Sequence, residues 1–458
     1  MNKSAFSKLI LTALIIAFFL PNMSFSRALF NRDEMAQQEY AAKLQVAGEP
    51  FVEIRVHRIG RIGLLVSNQG QFGNGFFQGI EDPRTGEPAP SCEYPIFSGI
   101  EYLFAGSFWV GAIVGRDTLV SVGVDGWFTI KEFWPPDSAA ADRNGELMTC
   151  RSINAGSEFF SPLAKSELDV TCVYYDTLVD GVVQDARDGR PHRPLNIRVR
   201  QTSYSWSYEY ADDFVLFDYE ITNIDPVRTL EKVYMGIYVD GDVLHSNAMG
   251  FQDDVTGFRL DVPALSLVPT TCDFRDTINL AWLADNNGFD EGDDPRDYGV
   301  TDPIGVTGTR VIRTPAKDTL DISFNWWISN TSPPLDWGPR LKKDFRDLGG
   351  FLGTPEGDRN KYHFLSNNEF DYDQLFSCIN HEDEGWLPPD NLLAGDFANG
   401  FDTRYLLSFG PFIIFPGETL PLTFAYVGGD KFHITSGNNW RAFDRDCLQA
   451  QTYYDLLS

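Results

Sequence analysis

Apolar and polar residues alternate with period two along Phe51-Val52-Glu53-Ile54-Arg55-Val56, which predicts a strand with one buried face. Ser107 to Val114, the turn residues Gly115-Arg116-Asp117 and Thr118 to Val122 together predict a hairpin. Phe214 to Thr222 and Val233 to Val239 are β-formers almost without interruption, as expected of strands covered on both faces. Leu195 to Tyr208, residues 278–284, 308–314 and 321–328, then Tyr405 to Ile414 and Leu420 to Val427 add further predicted strands. Helical spacing is concentrated at the ends. Phe30, Met35, Tyr40, Ala41 and Leu44 share one face of a short helix, and Trp440, Phe443, Cys447, Leu448, Tyr454 and Leu457 recur every three or four residues from about Asn438 to Leu457.

Strands and helices do not alternate as βαβ units, which excludes a doubly wound parallel sheet. No fixed repeat supports a propeller or solenoid. The expected fold is therefore mainly β, a large antiparallel β-sandwich of one or two β units with short flanking N- and C-terminal helices. The expected divisions are a signal peptide over 1–26, an N-terminal helical segment over 27–50 and a first β unit over 51–134. A polar excursion with a linking strand follows over 135–190, and the main sandwich over 191–458, with loop insertions and the C-terminal helix.

The leader changes the picture of where this sandwich works. Lys3 and Lys8 precede an uncharged, mostly apolar run from Leu9 to Leu20. Pro21 ends that run, and Ser24-Phe25-Ser26 offers small residues ahead of a cleavage point before Arg27. The run is shorter than the roughly 20 apolar residues of a membrane span. Export to the periplasm, outer surface or medium is expected, with no transmembrane segment after cleavage. The chain has 65 acids against 37 Lys and Arg, a formal charge of −28. Such a surface repels phosphate backbones, which excludes nucleic acid as a partner, and equally disfavours anionic membranes. Six cysteines, Cys92, Cys150, Cys172, Cys272, Cys378 and Cys447, form no CxxC motif. Their even number in an exported chain predicts at least one disulfide.

The most suggestive chemistry is acidic. Asp240-Gly241-Asp242 follows a strand directly, Asp253-Asp254 comes one loop later, and Asp285, Asn287 and Asp290 follow another strand on a glycine-containing loop. Carboxylates and amides spaced this way suit Ca2+, which takes six to eight oxygen ligands. The metal residues expected are Asp240, Asp242, Asp253, Asp254, Asp285, Asn287 and Asp290, although Phe289 and Asp290 break the EF-hand pattern. Asp and Asn with glycine are equally the residues of ordinary turns. No GxSxG elbow, HExxH zinc spacing or phosphate-binding loop occurs. Glycoside hydrolysis would need a carboxylate pair, and Asp212-Asp213 and Glu382-Asp383-Glu384 are equivalent candidates at this level. Trp326, Trp327, Trp337 and Trp386 offer rings that either stack on a ligand or fill the core.

Ala211 to Asn223, Tyr234 to Asp242 with Asp253-Asp254, and the later Gly410-Pro411-Phe412, Pro416-Gly417-Glu418 and Ala425 to Gly429 carry a resemblance. They resemble uncharacterised secreted bacterial β-sandwich proteins, which often carry a C-terminal secretion sorting domain; the sequence up to Ser458 shows none. The resemblance implies export and a sandwich, and it transfers no catalytic residue. The expected function is that of an exported, non-enzymatic binding or structural protein, stabilised by Ca2+ on its Asp-rich loops. Its expected partner is a protein or polysaccharide at the cell surface. The alternative is a secreted carbohydrate-active hydrolase or lyase using a carboxylate pair.

Overall fold

Strand Phe214–Asn223 shows why a continuous apolar run was needed. Val215, Phe217, Tyr219 and Ile221 point into the core between two sheets, while Phe214 and Leu216 point the other way, into the core beneath the C-terminal helix. With both faces covered, no alternate position is left for a polar residue over much of the strand. The computed structural model describes residues 52–126, 131–136, 147–179, 182, 184–185, 187–248, 253–263, 275–289, 299, 301–316, 320–328, 338–339, 348, 354–377, 394–434 and 439–457.

Two antiparallel sheets are stacked face to face. One runs, in spatial order, Leu244–His245, Ile100–Glu101, Cys92–Glu93, Gly63–Ser67, Gln71–Gly73, Ala105–Val114, Leu230–Asp240, Thr403–Ile414 and Asp321–Ile328. Ile54–His57 and Asp117–Val122 pair with Gly63–Ser67 and Ala105–Val114 at its margins. The other runs Asp254–Pro263, Arg275–Asp285, Val306–Arg313, Thr419–Gly429, Phe214–Asn223, Ile197–Ser205, Leu168–Asp176 and Thr149–Arg151. The expected hairpin is present, with Gly115 at φ 66° in its turn, a conformation that favours glycine.

The core between the sheets is aromatic. Phe217 and Phe424 stack at 4.7 Å, and Phe72, Phe108 and Tyr219 close around them. Burying each such ring is worth about 2–3 kcal/mol, against roughly 0–1 kcal/mol for an exposed ion pair, so the stacked sheets rather than the surface charges hold the fold. A helix covers each outer face. Helix Asp358–Ser366 lays Phe364 and Leu365 over Trp109, Tyr238 and Trp327. The C-terminal helix, Arg441–Leu457, buries Phe443, Cys447 and Ala450 against Trp282, Val427 and Leu280, on the stripe its sequence predicted.

Pro50–Ser458 forms one compact unit. Ala105–Val114, from the predicted 51–134 unit, lies beside Leu230–Asp240 from the 191–458 unit, and Leu168–Asp176 from the intervening segment belongs to the opposite sheet. The predicted helix over 27–50 lies outside the described residues. The disulfide expectation is corrected for three cysteines. Cys92 and Cys172 are free thiols in the core between the sheets, and Cys447 is a free thiol beneath the C-terminal helix. They behave as small apolar residues, and burial raises all three thiol pKa values. Cys272 and Cys378 lie outside the described residues. Among the described residues no helix is long and apolar enough to cross a membrane.

Candidate functional site

The sheet order brings most of the predicted acidic loops to one corner. Asp254 and Asp285 face each other across neighbouring antiparallel strands. Asp254 is wholly buried; its Oδ2 accepts a hydrogen bond from the Val243 amide at 3.0 Å, beside Asp242 in the chain. The Asn286 amide donates to the Asp253 carbonyl at 3.1 Å. Asp285 Oδ1 accepts from the amides of Asn287, at 2.8 Å, and Gly288, which folds the Asp285–Gly288 turn back on itself. Burial, then the charges of Asp285, Asp242 and Asp253, holds the Asp254 carboxyl well above its usual range.

Asp240 has a different role. It ends its strand beside Arg404, whose Nε stands 2.9 Å from Asp240 Oδ1 and whose Nη1 donates to Asp402 Oδ1 at 2.8 Å. A guanidinium from the next strand thus neutralises the acid that sequence grouped with the metal ligands. Asp290 lies outside the described residues. Among the described residues no three His, Cys, Asp or Glu side chains converge closely enough to hold a metal by themselves.

A second arrangement, which sequence reading missed, lies where strands Ile197–Ser205 and Phe214–Asn223 of the sheet carrying Asp254 are joined, against the C-terminal helix. Loop 206–213 packs on the C-terminal helix and carries Tyr208 and Tyr210, 38% and 51% exposed, with rings stacked at 5.6 Å and 15°. Tyr453 of the helix supports Tyr210 at 5.7 Å, and Trp206 anchors Tyr453 edge-on at 4.7 Å. The loop is fixed from below, where the Ser207 amide and hydroxyl donate to Glu167 Oε2 at 2.6 and 2.7 Å. Along the first turns of the same helix, Asn439, Arg441, Ala442 and Arg445 line a cleft of about 460 Å³. Asn439 Oδ1 accepts from the Arg441 amide at 3.3 Å, and Arg445 acts electrostatically on Asp212 of the tyrosine loop. The spacing Tyr208-x-Tyr210 just beyond a strand was the available signal, but nothing local shows that the strand has ended in a loop resting on a distant helix.

Beneath this face lie two buried carboxyls, Asp213 and Asp446. Asp213 accepts from Arg61 Nη1 at 2.7 Å and from the Tyr94 hydroxyl at 2.8 Å, and Arg61 also reaches Asp430 at 2.5 Å. Asp446 accepts from Arg445 Nε at 2.8 Å. Burial pushes Asp213 up to about 6, with Arg61 opposing, and Asp446 up to about 7, with Asp213 adding to the rise. The acids that act on Asp213 are Asp212 and Asp430, so the adjacent Asp212 and Asp213 do influence each other. Asp213 and Asp446 are nearly sealed from solvent, at 5% and 1% exposure. Glu382, Asp383 and Glu384, with Trp337 and Trp386, lie outside the described residues, while Trp326 and Trp327 are core side chains.

The sequence matches no protein-family model and no curated protein. Similar solved structures include a protein from Escherichia coli K12 assigned as an aldose 1-epimerase, at 10% identity and a TM-score of 0.26, covering 82% of this chain and 99% of that one. Another is a polysaccharide lyase at 11% identity and a TM-score of 0.25, covering 85% of this chain and 34% of that one. Likeness at this level carries no information about activity or site residues.

Proposed function

We propose that the protein is an exported, non-catalytic glycan-binding protein that lays a neutral polysaccharide over Tyr208 and Tyr210. The observation that supports this reading is the stacked tyrosine pair, half exposed on a loop braced by Tyr453, Trp206 and Glu167. Aromatic faces offer a flat apolar surface at low conformational cost. The neighbouring cleft supplies Arg441 and Arg445 as hydrogen-bond donors to fix a chain's direction. A chain of formal charge −28 favours neutral over anionic polymers. The carboxyls beneath, Asp213 and Asp446, are buried away from the tyrosine face, which favours binding over hydrolysis.

Electrophoresis through gels containing neutral polysaccharides tests this reading. At least one polysaccharide should retard the wild-type protein, and the double variant Y208A/Y210A should lose that retardation. Each ring contributes about 1 kcal/mol, so affinity should fall roughly tenfold or more. Equal mobility of wild type and variant in every gel would reject the tyrosine platform. New reducing ends or unsaturated products from any polysaccharide would overturn the non-catalytic part. Export is tested separately: amino-terminal sequencing of mature protein should begin at Arg27, and an intact Met1 would contradict it.

A further inference from the structure

We infer that the corner formed by Asp242, Asp253, Asp254 and Asp285 is a binding site for a hard divalent cation of the Ca2+ class. Asp254 carries the inference. Its side chain has no exposure, its Oδ2 is occupied by the Val243 amide, and its Oδ1 forms no hydrogen bond among the described residues. An ionised Asp254 places charge on an oxygen that no hydrogen bond among the described residues balances. A protonated Asp254 puts either a hydroxyl without an acceptor or a carbonyl without a donor at the same place. Both are costly in a buried site.

The surroundings decide what would satisfy this oxygen. Asp285 lies directly opposite across the ladder and is equally buried. Like charges at directly opposed positions repel. The charged groups acting most strongly on Asp254 are Asp285, Asp242 and Asp253, all acids. Arg404, the guanidinium close by, is held by Asp240 and Asp402. The backbone cannot relax to bring Asp254 to water. Its carbonyl accepts from the Phe401 amide at 2.8 Å and from Gln374 Nε2 at 3.1 Å, and Gly241 is tied to the Thr403 carbonyl at 3.0 Å. A cation is the species that all these groups favour.

The class of cation follows from the donors. The groups facing Asp254 are oxygens, which suit Ca2+ rather than a thiophilic metal. Because three side chains do not converge, main-chain carbonyls and water must complete the shell. Such a lean set belongs with the weak extracellular sites, with Kd of about 10⁻⁴–10⁻³ M. The geometry is thus that of a structural ion which locks three loops at the sheet's edge. It is independent of the tyrosine face.

The test uses the full mature chain, stripped with EGTA and desalted. Ca2+ at about 10 mM should raise the thermal midpoint by about 2–3 °C, and Tb3+ should show emission sensitised by Trp282, three positions from Asp285. D254N should abolish both responses, while D321N, on the other sheet, should keep them. A wild-type midpoint indifferent to Ca2+ together with no Tb3+ emission would overturn the site. So would a D254N protein that responds like wild type. If D254N does not fold, D285N and direct calorimetric titration of wild type carry the same decision: measurable heat of Ca2+ binding supports the site, and none rejects it.

Discussion

Between about pH 8 and pH 9 the stability advantage of the wild-type protein over H192Q should shrink by roughly 1.4 kcal/mol through one side chain. His192 is sealed between two acids, with Nε2 2.7 Å from Asp176 Oδ1 and Nδ1 3.2 Å from Glu132 Oε1. Burial alone would lower its pKa, but the hydrogen bonds to Asp176 and Glu132 and their charges outweigh it, and the pKa rises from 6.5 to about 10. The folded state therefore holds a proton that the unfolded chain has released. That stabilisation is complete below the unfolded value of 6.5 and is lost as pH rises through the folded value of about 10. Glu101, raised by burial to about 8, and the buried cysteines, raised above their ordinary value of 9.0, also titrate in or near this window, but they do so in both proteins. The difference between the wild-type and H192Q profiles is therefore the part that belongs to His192. Urea unfolding at a series of pH values measures it, and parallel profiles for wild type and H192Q would show that His192 is not charged in the fold.

R404M should destabilise the protein by about 3–5 kcal/mol at neutral pH. Arg404 is 2% exposed, and its two close acids, Asp240 and Asp402, are 1% and 3% exposed. Burial pushes the Asp240 carboxyl upward and the Arg404 guanidinium holds it down. Methionine fills the volume but leaves Asp240 without its counter-charge in a site of low dielectric. The triple variant R404M/D240N/D402N should recover much of the loss, because the amides carry no charge to bury. Equilibrium unfolding of the three proteins decides it, and an R404M protein within about 1 kcal/mol of wild type would mean that the triad is inessential. The triad also bears on the acidic corner. Thr403, the residue before Arg404, accepts the Gly241 amide through its carbonyl and donates its hydroxyl to the Asp254 carbonyl at 3.3 Å. Loosening Arg404 should therefore weaken Ca2+ binding as well as the fold.

The tyrosine face and the acidic corner occupy different positions on one sheet. One lies on the face covered by the C-terminal helix, the other at the edge carried by Asp254–Pro263 and Arg275–Asp285. A platform on a braced loop and an ion at a sheet edge are compatible with one binding protein. The two variants Y208A/Y210A and D254N separate their contributions, since the first should leave Ca2+ stabilisation intact.

Periodicity alone determined the elements. The uninterrupted β-formers at Phe214 to Thr222 announced a strand covered on both faces, Gly115-Arg116-Asp117 announced a hairpin, and the stripe from Trp440 to Leu457 announced a helix with one apolar side. Each follows from residues within a few positions of one another, where backbone geometry ties spacing to direction. The sequence also placed acids at the loops that follow two strands, and five of the seven positions, Asp242, Asp253, Asp254, Asp285 and Asn287, lie in the three segments that the sheet brings together. Only the tertiary structure decided that Asp240 belongs to Arg404, that Asp213 meets Arg61 from 152 positions away, and that Tyr208 and Tyr210 rest on Tyr453. Those contacts depend on which strands become neighbours and on which face a helix returns to cover. That order is set by the packing of the whole core, and it leaves no periodic trace in any short stretch of chain.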